Sequence, residues 1–293
     1  MTRTLMEQPE FLAIGHICQD KTATGMLPGG AAAYAARLAA NLGFRTAVLT
    51  STSGEYALNA TFPGVAIENA EAPFTTVFEN IYENGARRQL LHQRALSLTP
   101  VQLPATWRAA KTVLLGPIAD EVSPEFIGAF ENAVVCVCPQ GWMRKWDANG
   151  KVTFKPLQTW EPLFEAGIIS MSESDTGNDW ALMNALGKEA RLLIVTQGAK
   201  GATIFVKGKK RFYPAMPAEE VDPTGAGDIF ATAFTLRFYK TEDVEDSAAF
   251  AHAAASLSVE SNGVEELPTK EKVEKRYEQY LELFCAKRLV KRR

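Results

Sequence analysis

A run of turn-forming residues stands directly before an aspartate in VDPTGAGDIFATAF, at Val221–Phe234. Apolar residues recur at helical spacing after it, which predicts a helix that begins near Gly227. The first turn of a helix offers unpaired backbone N–H groups and the positive end of the helix dipole. Glycines let an anion approach that backbone, and Asp228 would lie beside it. The segment is therefore a candidate anion pocket with a base next to it.

The residues alone leave a second interpretation of this segment open. Gly225-Ala226-Gly227 would also suit a tight turn into a packed helix, with Asp228 as a helix-capping carboxylate. Common phosphate-binding motifs do not decide the matter, because the chain has no GxxxxGK[ST] and GAGDIF lacks the third glycine of GxGxxG. Motifs of serine hydrolases, zinc proteases and protein kinases are absent as well.

The elements that would position this segment alternate along the chain. Strand-length apolar runs, each followed by polar or helical sequence, occur at FLAIGHIC, TAVLTS, KTVLLGP, AVVCVCP, AGIISMS and LLIVTQG. Such alternation predicts an α/β fold with a doubly wound, mainly parallel sheet and helices on both faces. Ligands bind beyond the carboxyl ends of the strands in such sheets, and that is where Asp20, Asp175 and Gly198 would fall.

One region departs from this alternation. Residues Phe74–Leu96 alternate with period two around Asn84-Gly85, which predicts a β-hairpin. We expect a small β lid formed by about residues 20–26 and 74–95 beside the main sheet. With no repeat or long linker, residues 1–293 are predicted to form a single domain with this lid.

Composition limits the classes of partner and the cellular compartment that we expect. The 31 basic and 34 acidic residues give a net charge of −3, so no global charge favours nucleic acid or anionic membrane. The start lacks the apolar region of a signal peptide, and no apolar run has membrane-spanning length. The four cysteines have no zinc spacing, and we interpret them as reduced residues of a cytoplasmic protein.

Several segments resemble one family in order along the chain. DPTGAGDIFATAF closely resembles the C-terminal signature of the PfkB, or ribokinase-like, carbohydrate kinases, D-[ST]-x-G-A-G-D followed by an apolar helix. Gly29-Gly30 before a small-residue helix resembles the N-terminal signature of that family. VTQGAKGATIF resembles its nucleotide-binding strand and loop, and AHAAASLSVESNGVEELPT its final adenine-side helix and loop.

The resemblance implies a reaction as well as a ribokinase-like fold. Members of the family transfer the γ-phosphoryl group of ATP, with Mg²⁺, to a hydroxyl of a sugar or similar polyol. Phosphoryl transfer requires positioning and neutralisation of the charge on the phosphoryl oxygens. By resemblance, the Gly225, Ala226 and Gly227 amides form the anion hole and Asp228 is the general base.

The acceptor side is assigned by position along the same pattern. Asp20 follows the first strand, where the family resembled commonly holds an acidic residue on sugar hydroxyls. A carboxylate would accept two hydroxyl protons of a diol, and a surface turn is the alternative. Gly29 and Gly30 would let backbone amides reach the substrate. Asn80, on the lid, is a candidate contact or an ordinary lid residue. Family members form monomers or dimers through the lid, so a homodimer is possible here too.

The nucleotide side is assigned in the same way. Thr196, Gly198, Gly201 and Thr224 match the family's nucleotide-binding positions. His252 falls where many relatives have an asparagine near the adenine. Asn262 and Gly263 lie in the adenine loop of the resemblance.

Two positions depart from the family pattern. Many relatives carry N-x-x-E, which organises Mg²⁺ through water, where this chain has Ser172-Glu173-Ser174-Asp175. Asp175 keeps a carboxylate and is the candidate metal residue, through water. CPQGWMR, at Cys138–Arg144, replaces the D-x-N-x-R of sugar-kinase relatives, and Gln140 and Arg144 either approach the ligands or are structural.

The sequence leaves three functions in competition. An ATP-dependent kinase of a sugar or cyclitol is favoured, because the lid has few aromatic residues to stack on a nucleobase. A nucleoside kinase is the alternative within the same class. A non-catalytic nucleotide- or sugar-binding relative is the alternative outside it, suggested by the altered S-x-x-D motif.

Overall fold

Short apolar runs form the strands and alanine-rich or amphipathic segments form the helices. The computed structural model describes residues 8–23, 25–83 and 86–284. The strands are β1 (Phe11–Ile14), β2 (Cys18–Thr22), β3 (Gly25–Gly29), β4 (Thr46–Thr50), β5 (Ala66–Asn69), β6 (Val77–Glu83), β7 (Ala86–Gln93), β8 (Thr112–Leu115), β9 (Val134–Val137), β10 (Arg144–Trp146), β11 (Val152–Phe154), β12 (Ile168–Ser172), β13 (Leu192–Thr196), β14 (Gly201–Val206) and β15 (Lys209–Pro214). The α-helices are α1 (Ala31–Asn41), α2 (Leu58–Thr61), α3 (Glu161–Phe164), α4 (Trp180–Glu189), α5 (Ala226–Thr241), α6 (Val244–Val259) and α7 (Lys270–Phe284).

Nine strands form the main sheet, in the order β15-β14-β13-β12-β9-β8-β1-β4-β5. Neighbours from β5 to β13 are parallel, whereas β14 and β15 add antiparallel strands at one edge. A central strand such as β1 is buried along its whole length, because helices cover both faces of the sheet. The predicted α/β fold with a doubly wound, mainly parallel sheet is confirmed.

Two apolar layers lie on the two faces of the main sheet. One includes side chains of α1, α5, α6 and α7 around Phe234 and Leu38. The other includes α4 and the 3-10 turns before β8 and β9, around Trp107 and Phe126. None of the helices in the described ranges is both long and apolar enough to span a bilayer.

The first predicted strand is shorter than its apolar run. The sequence indicates a strand over FLAIGHIC, but β1 ends at Ile14 and Cys18 already begins β2 in another sheet. The chain leaves the main sheet at Gly15, where a Cβ would lie only 2.4 Å from the Gly116 carbonyl oxygen. The next amide, of His16, donates instead to the buried Glu121 carboxylate at 3.1 Å. This break carries Asp20 away from the main sheet.

A second sheet of four strands, in the order β3-β2-β6-β7, lies beside the first. It occupies the two segments for which we predicted a lid, and β6 and β7 pair as an antiparallel hairpin from Val77↔Gln93 to Glu83↔Ala86. The predicted Asn84-Gly85 turn and residue 24 lie outside the described residues. Phe78 and Leu91 of the hairpin pack on Ile118 and Ala119, next to the main sheet. This four-stranded sheet is called the lid sheet below.

Candidate active site

A cavity of about 630 Å³ lies between the lid sheet and the carboxyl ends of the main-sheet strands. Most of the site residues predicted from sequence line it, although they come from distant parts of the chain. They are Asp20, Gly30, Asn80, Asp175, Thr196, Gly198, Gly201, Thr224, Gly225, Ala226, Gly227, Asp228 and His252. The location is the usual one for a ligand in an open α/β sheet.

The start of α5 forms one wall of the cavity. Gly225 is the N-cap residue with φ 76°, a left-handed conformation that favours glycine, and the helix begins at Ala226. No side chain caps this end of the helix. The Asp222 carboxylate accepts the Thr224 N–H at 2.9 Å and shapes the turn before it. This geometry leaves the positive end of α5 directed at the cavity, which suits a phosphate group.

Asp228 lies in the first turn of α5 and lines the cavity. Its side chain is half-buried, so solvent still reaches part of it, but the protein surrounds it closely. Burial raises the pKa of this carboxyl to about 7; Arg144 nearby opposes the rise and Asp175 adds to it. A carboxylate that titrates near neutral pH is well matched to accept a proton from an alcohol.

The Asp20 carboxylate lines the same cavity. Asp20 is on β2, opposite Leu27 of β3 in the lid sheet. Gly29 lies so close to it that a Cβ would be 2.0 Å from Asp20 Oδ2. Gly30 has φ 95°, and a Cβ there would lie 2.4 Å from the His16 carbonyl oxygen. Gly29 is buried behind Asp20 and Gly30 lines the cavity, so both glycines are required sterically.

Asp175 belongs to a hydrogen-bonded network on the cavity wall. Its Oδ2 accepts the Ser172 N–H at 2.8 Å, which completes a capping box after β12. Its Oδ1 accepts Gln140 Nε2 at 2.8 Å. Gln140 Oε1 in turn accepts Arg144 Nη2 at 2.6 Å. The two departures from the family pattern are therefore one connected structure.

The residues present fit a magnesium ion held mainly by its other ligands. Within the described ranges no group of three or more His, Cys, Asp or Glu side chains could hold a metal ion. Mg²⁺ commonly uses one or two carboxylates together with waters and substrate phosphates, so a full protein cage is unnecessary. Asp175 and Asp228 both line the cavity and could serve in this way.

Small and apolar residues line the part of the cavity beyond the start of α5. Ala215, Met216, Pro217, Ala255 and Val259 form this wall, and such a surface suits the flat face of a nucleobase.

His252 borders the apolar wall on α6. It stacks on Tyr280 with the ring centroids 5.6 Å apart, and it meets Phe230 edge to face. Asn262 and Gly263 follow α6 in a turn that is outside the cavity wall, so their assignment stays a prediction.

The cavity also contains residues that were not predicted from the sequence. Tyr34 of α1, Phe78 of β6 and Gln89 of β7 all line it. Gln89 Nε2 donates to Asn80 Oδ1 at 3.0 Å across the hairpin. The period-two alternation around Asn80 was the signal that could have located Phe78, two residues earlier on the same strand face. No comparable signal marks Tyr34 within its alanine-rich helix.

The fold and the sequence both have known counterparts. The structure of a pyrophosphate-dependent kinase in the ribokinase family, complexed with a pyrophosphate analog and myo-inositol, superposes with a TM-score of 0.77 at 21% identity, over 90% of this chain and 99% of the other. The fold is therefore ribokinase-like. Residues 164–271 match the family model for the pfkB family carbohydrate kinases. The relationship predicted from the sequence signatures is confirmed.

Curated relatives match over a shorter length. Ribokinase of Bacillus subtilis is 38% identical over 94 residues, 32% of each chain. Nucleoside kinase of Methanocaldococcus jannaschii is 42% identical over 90 residues, 30% of each chain. The matched part thus spans about a third of the length of these relatives.

Proposed function

We propose that the protein transfers the γ-phosphoryl group of ATP to a hydroxyl of a small, uncharged polyol, either a sugar or a cyclitol, with Mg²⁺. The observation that carries the proposal is the one cavity that is lined by Asp20, by Asp228 and by the uncapped start of α5. An alcohol held at Asp20 and a terminal phosphate at α5 would both lie next to the Asp228 carboxylate.

The roles follow from the chemistry of each group. The amides at Gly225, Ala226 and Gly227 bind the phosphoryl oxygens and neutralise charge during transfer. The Asp228 carboxylate accepts the proton of the attacking hydroxyl. Asp20, with its position fixed against Gly29, accepts hydroxyl protons of the acceptor. Mg²⁺, held through water by Asp175, would neutralise charge on the phosphates of the donor.

The charge of the cavity supports a neutral acceptor. Asp20, Asp175 and Asp228 line the cavity, and Arg144 is the only Lys or Arg among the lining residues that the structure describes. Arg144 is already engaged with Gln140 and the Ile118 carbonyl oxygen. A sugar phosphate or a sugar acid would meet net negative charge here, whereas a polyol would meet hydrogen-bond acceptors and the Asn80–Gln89 amide pair.

The donor is assigned to ATP because of the apolar wall near His252. Pyrophosphate would leave that wall without a partner. The structural neighbour described above uses pyrophosphate, so both donors belong in the test. The lid sheet would close over the acceptor and exclude water, which limits wasteful hydrolysis of the donor.

The direct test is a transfer assay with ATP or pyrophosphate as donor and ribose, fructose, myo-inositol or adenosine as acceptor. We expect turnover with ATP and a sugar or cyclitol. Turnover of adenosine alone would instead establish a nucleoside kinase, a candidate kept because of the nucleoside kinase relative. ATP binding without turnover of any acceptor in a broad polyol panel would favour a non-catalytic relative.

The base is tested by Asp228→Asn. The amide keeps the size of the side chain but cannot take the proton, so turnover should fall by at least about 10²-fold, a typical contribution of general base catalysis, while ATP binding persists. Asp243→Asn is the matched control, because Asp243 also stands at a helix start, that of α6, but outside the cavity. Undiminished turnover in Asp228→Asn would refute the assignment of the base.

A further inference from the structure

Gln140 lies between two charged groups of the cavity wall and contacts both. Its Nε2 is 2.8 Å from Asp175 Oδ1, and its Oε1 is 2.6 Å from Arg144 Nη2. Only one orientation of the amide satisfies these neighbours. The reverse would place the Gln140 carbonyl oxygen against a carboxylate and its NH₂ group against a guanidinium.

Arg144 is itself held in place on two further sides. Its Nη1 donates to the Ile118 carbonyl oxygen at 2.9 Å. Its guanidinium carbon lies 5.7 Å from the centre of the Phe78 ring, on strand β6 of the lid sheet. Arg144 therefore presents a fixed donor to Gln140, and this donor determines which end of the amide faces Asp175.

Asp175 receives one hydrogen bond on each oxygen from this surrounding. The Ser172 N–H, in the same turn as Asp175, donates to Oδ2 at 2.8 Å. Gln140, in the connection after the neighbouring strand β9, donates to Oδ1 at 2.8 Å. The side chain of Asp175 is one methylene shorter than that of the glutamate in the family motif, so its carboxylate lies closer to the backbone. A donor from outside the turn can compensate by fixing the carboxylate in one rotamer.

We propose that Gln140 is a positioning residue that, held by Arg144, fixes the Asp175 carboxylate for a hydrated divalent cation. This inference rests on the proposed function and adds a residue to it. Partners that hydrogen-bond a metal-binding carboxylate orient it, and losing one commonly lowers metal affinity about 10–100-fold. The alternative is that the network merely packs β12 against the turn after β9, with no effect on a metal.

The test replaces Gln140 by Met, which has nearly the same length but offers no amide. The probe is Mn²⁺, measured by water-proton relaxation in the presence of ADP, so that the metal readout is independent of turnover. We expect about tenfold weaker Mn²⁺ binding to the protein–ADP complex and a similar rise in the Mg²⁺ concentration for half-maximal activity.

Gln102→Met is the matched control, because Gln102 hydrogen-bonds Thr99 and Ser97 away from the cavity. Gln140→Asn is the second variant, since it keeps the amide chemistry but is too short to reach both partners. It should weaken Mn²⁺ binding in the same direction and carries the test if Gln140→Met does not fold.

The outcomes separate the two proposals. Unchanged Mn²⁺ affinity in a folded Gln140 variant would overturn this inference and leave the proposed function standing. If the wild-type protein itself showed no Mn²⁺-dependent ADP binding and no phosphoryl transfer, the proposed function would fail first. An equal loss of Mn²⁺ affinity in Gln102→Met would also overturn the inference, because the effect would then not depend on Asp175.

Discussion

Gly225 faces the ring of Tyr34, and a Cβ added at residue 225 would lie 2.5 Å from Tyr34 Cδ1. The contact joins α1, whose start carries the Gly29-Gly30 pair, to the start of α5. The ring of Tyr34 is buried and cannot move aside freely. The two helix starts that frame the cavity are therefore held at a distance that only glycine at residue 225 permits.

Gly225→Ala is expected to destabilise the protein and to abolish activity. The left-handed φ of 76° at this position costs alanine about 1–2 kcal/mol, and displacing a packed ring costs about 1–3 kcal/mol more. Urea denaturation and the transfer assay would measure the two effects.

Gly227→Ala is the contrasting variant. A Cβ at residue 227 has no heavy atom within 4 Å, and alanine is the better helix former by about 1 kcal/mol. We expect unchanged or higher stability but a raised donor KM, because the new methyl group occupies the space where a phosphate approaches. Equal stability losses in both variants would contradict the proposed role of the Tyr34 contact.

Gly29→Ala should lower kcat/KM for the acceptor and leave donor binding unchanged. The added Cβ would lie 2.0 Å from Asp20 Oδ2 and would push the carboxylate aside. Losing one hydrogen bond to a charged group costs about 1.5–3 kcal/mol, so the acceptor kcat/KM should fall about 10–100-fold. The donor KM should stay within twofold. Gly128→Ala, where no heavy atom lies within 4 Å, is the control, and a lower donor affinity in Gly29→Ala would argue against Asp20 as an acceptor residue.

The sequence predicted Asp20, Thr196 and the segment around Asp228, which line the cavity, because they follow general rules. Asp20 comes after β1 and Thr196 ends β13, near the strand ends where ligands bind in a doubly wound fold, and the segment around Asp228 matches a specific signature. The sequence did not predict which other side chains line the cavity next to these residues. Tyr34 and Gln89 are ordinary residues of a helix and a hairpin, and only the packing of α1 on α5 and of the lid sheet brings them to the cavity.

Two features of the structure cannot be predicted from the sequence pattern, for a physical reason. The apolar run FLAIGHIC contains a break that hydrophobicity does not reveal, since it depends on the close approach of Gly15 to the Gly116 carbonyl oxygen. The network from Arg144 through Gln140 to Asp175 joins residues of two strand connections, and side-chain hydrogen bonds between such connections leave no periodic pattern. The sequence therefore left Gln140 and Arg144 between two interpretations.

The activity should depend on pH through Asp228. Its pKa is raised to about 7 by burial, and only the ionised carboxylate accepts a proton. Acceptor kcat/KM should therefore fall about tenfold for each pH unit below 7 and level off above it. A profile that stays flat down to pH 5 would show that the base is another group or that chemistry does not limit the rate.

The stability of the folded protein should change with pH in the opposite direction to the activity, also because of Asp228. The folded protein keeps the Asp228 proton up to about pH 7, whereas an unfolded aspartate loses it near about pH 4. Between these values the folded state binds more protons, so the contribution of this group to stability decreases as the pH rises. Asp228→Asn should remove that decrease, measured as the urea midpoint from pH 4 to pH 8.

His252 should make the protein sensitive to acid. Burial lowers its pKa to about 3, so the imidazole is neutral when folded, whereas an unfolded histidine takes a proton near about pH 6.5. The unfolded state then binds more protons between these values, and stability falls as the pH drops below about 6.5. His252→Phe keeps an aromatic ring against Tyr280 and Phe230 but cannot be protonated. Its urea midpoint should therefore fall less between pH 7 and pH 4 than that of the wild type.

The pH dependence that remains in His252→Phe should include a contribution from His16, whose pKa burial also lowers. The matched control is His92→Phe, because His92 is exposed and contacts Glu79 on the lid sheet. A curve for His252→Phe that is parallel to the wild type would show that residue 252 does not stay neutral in the folded protein.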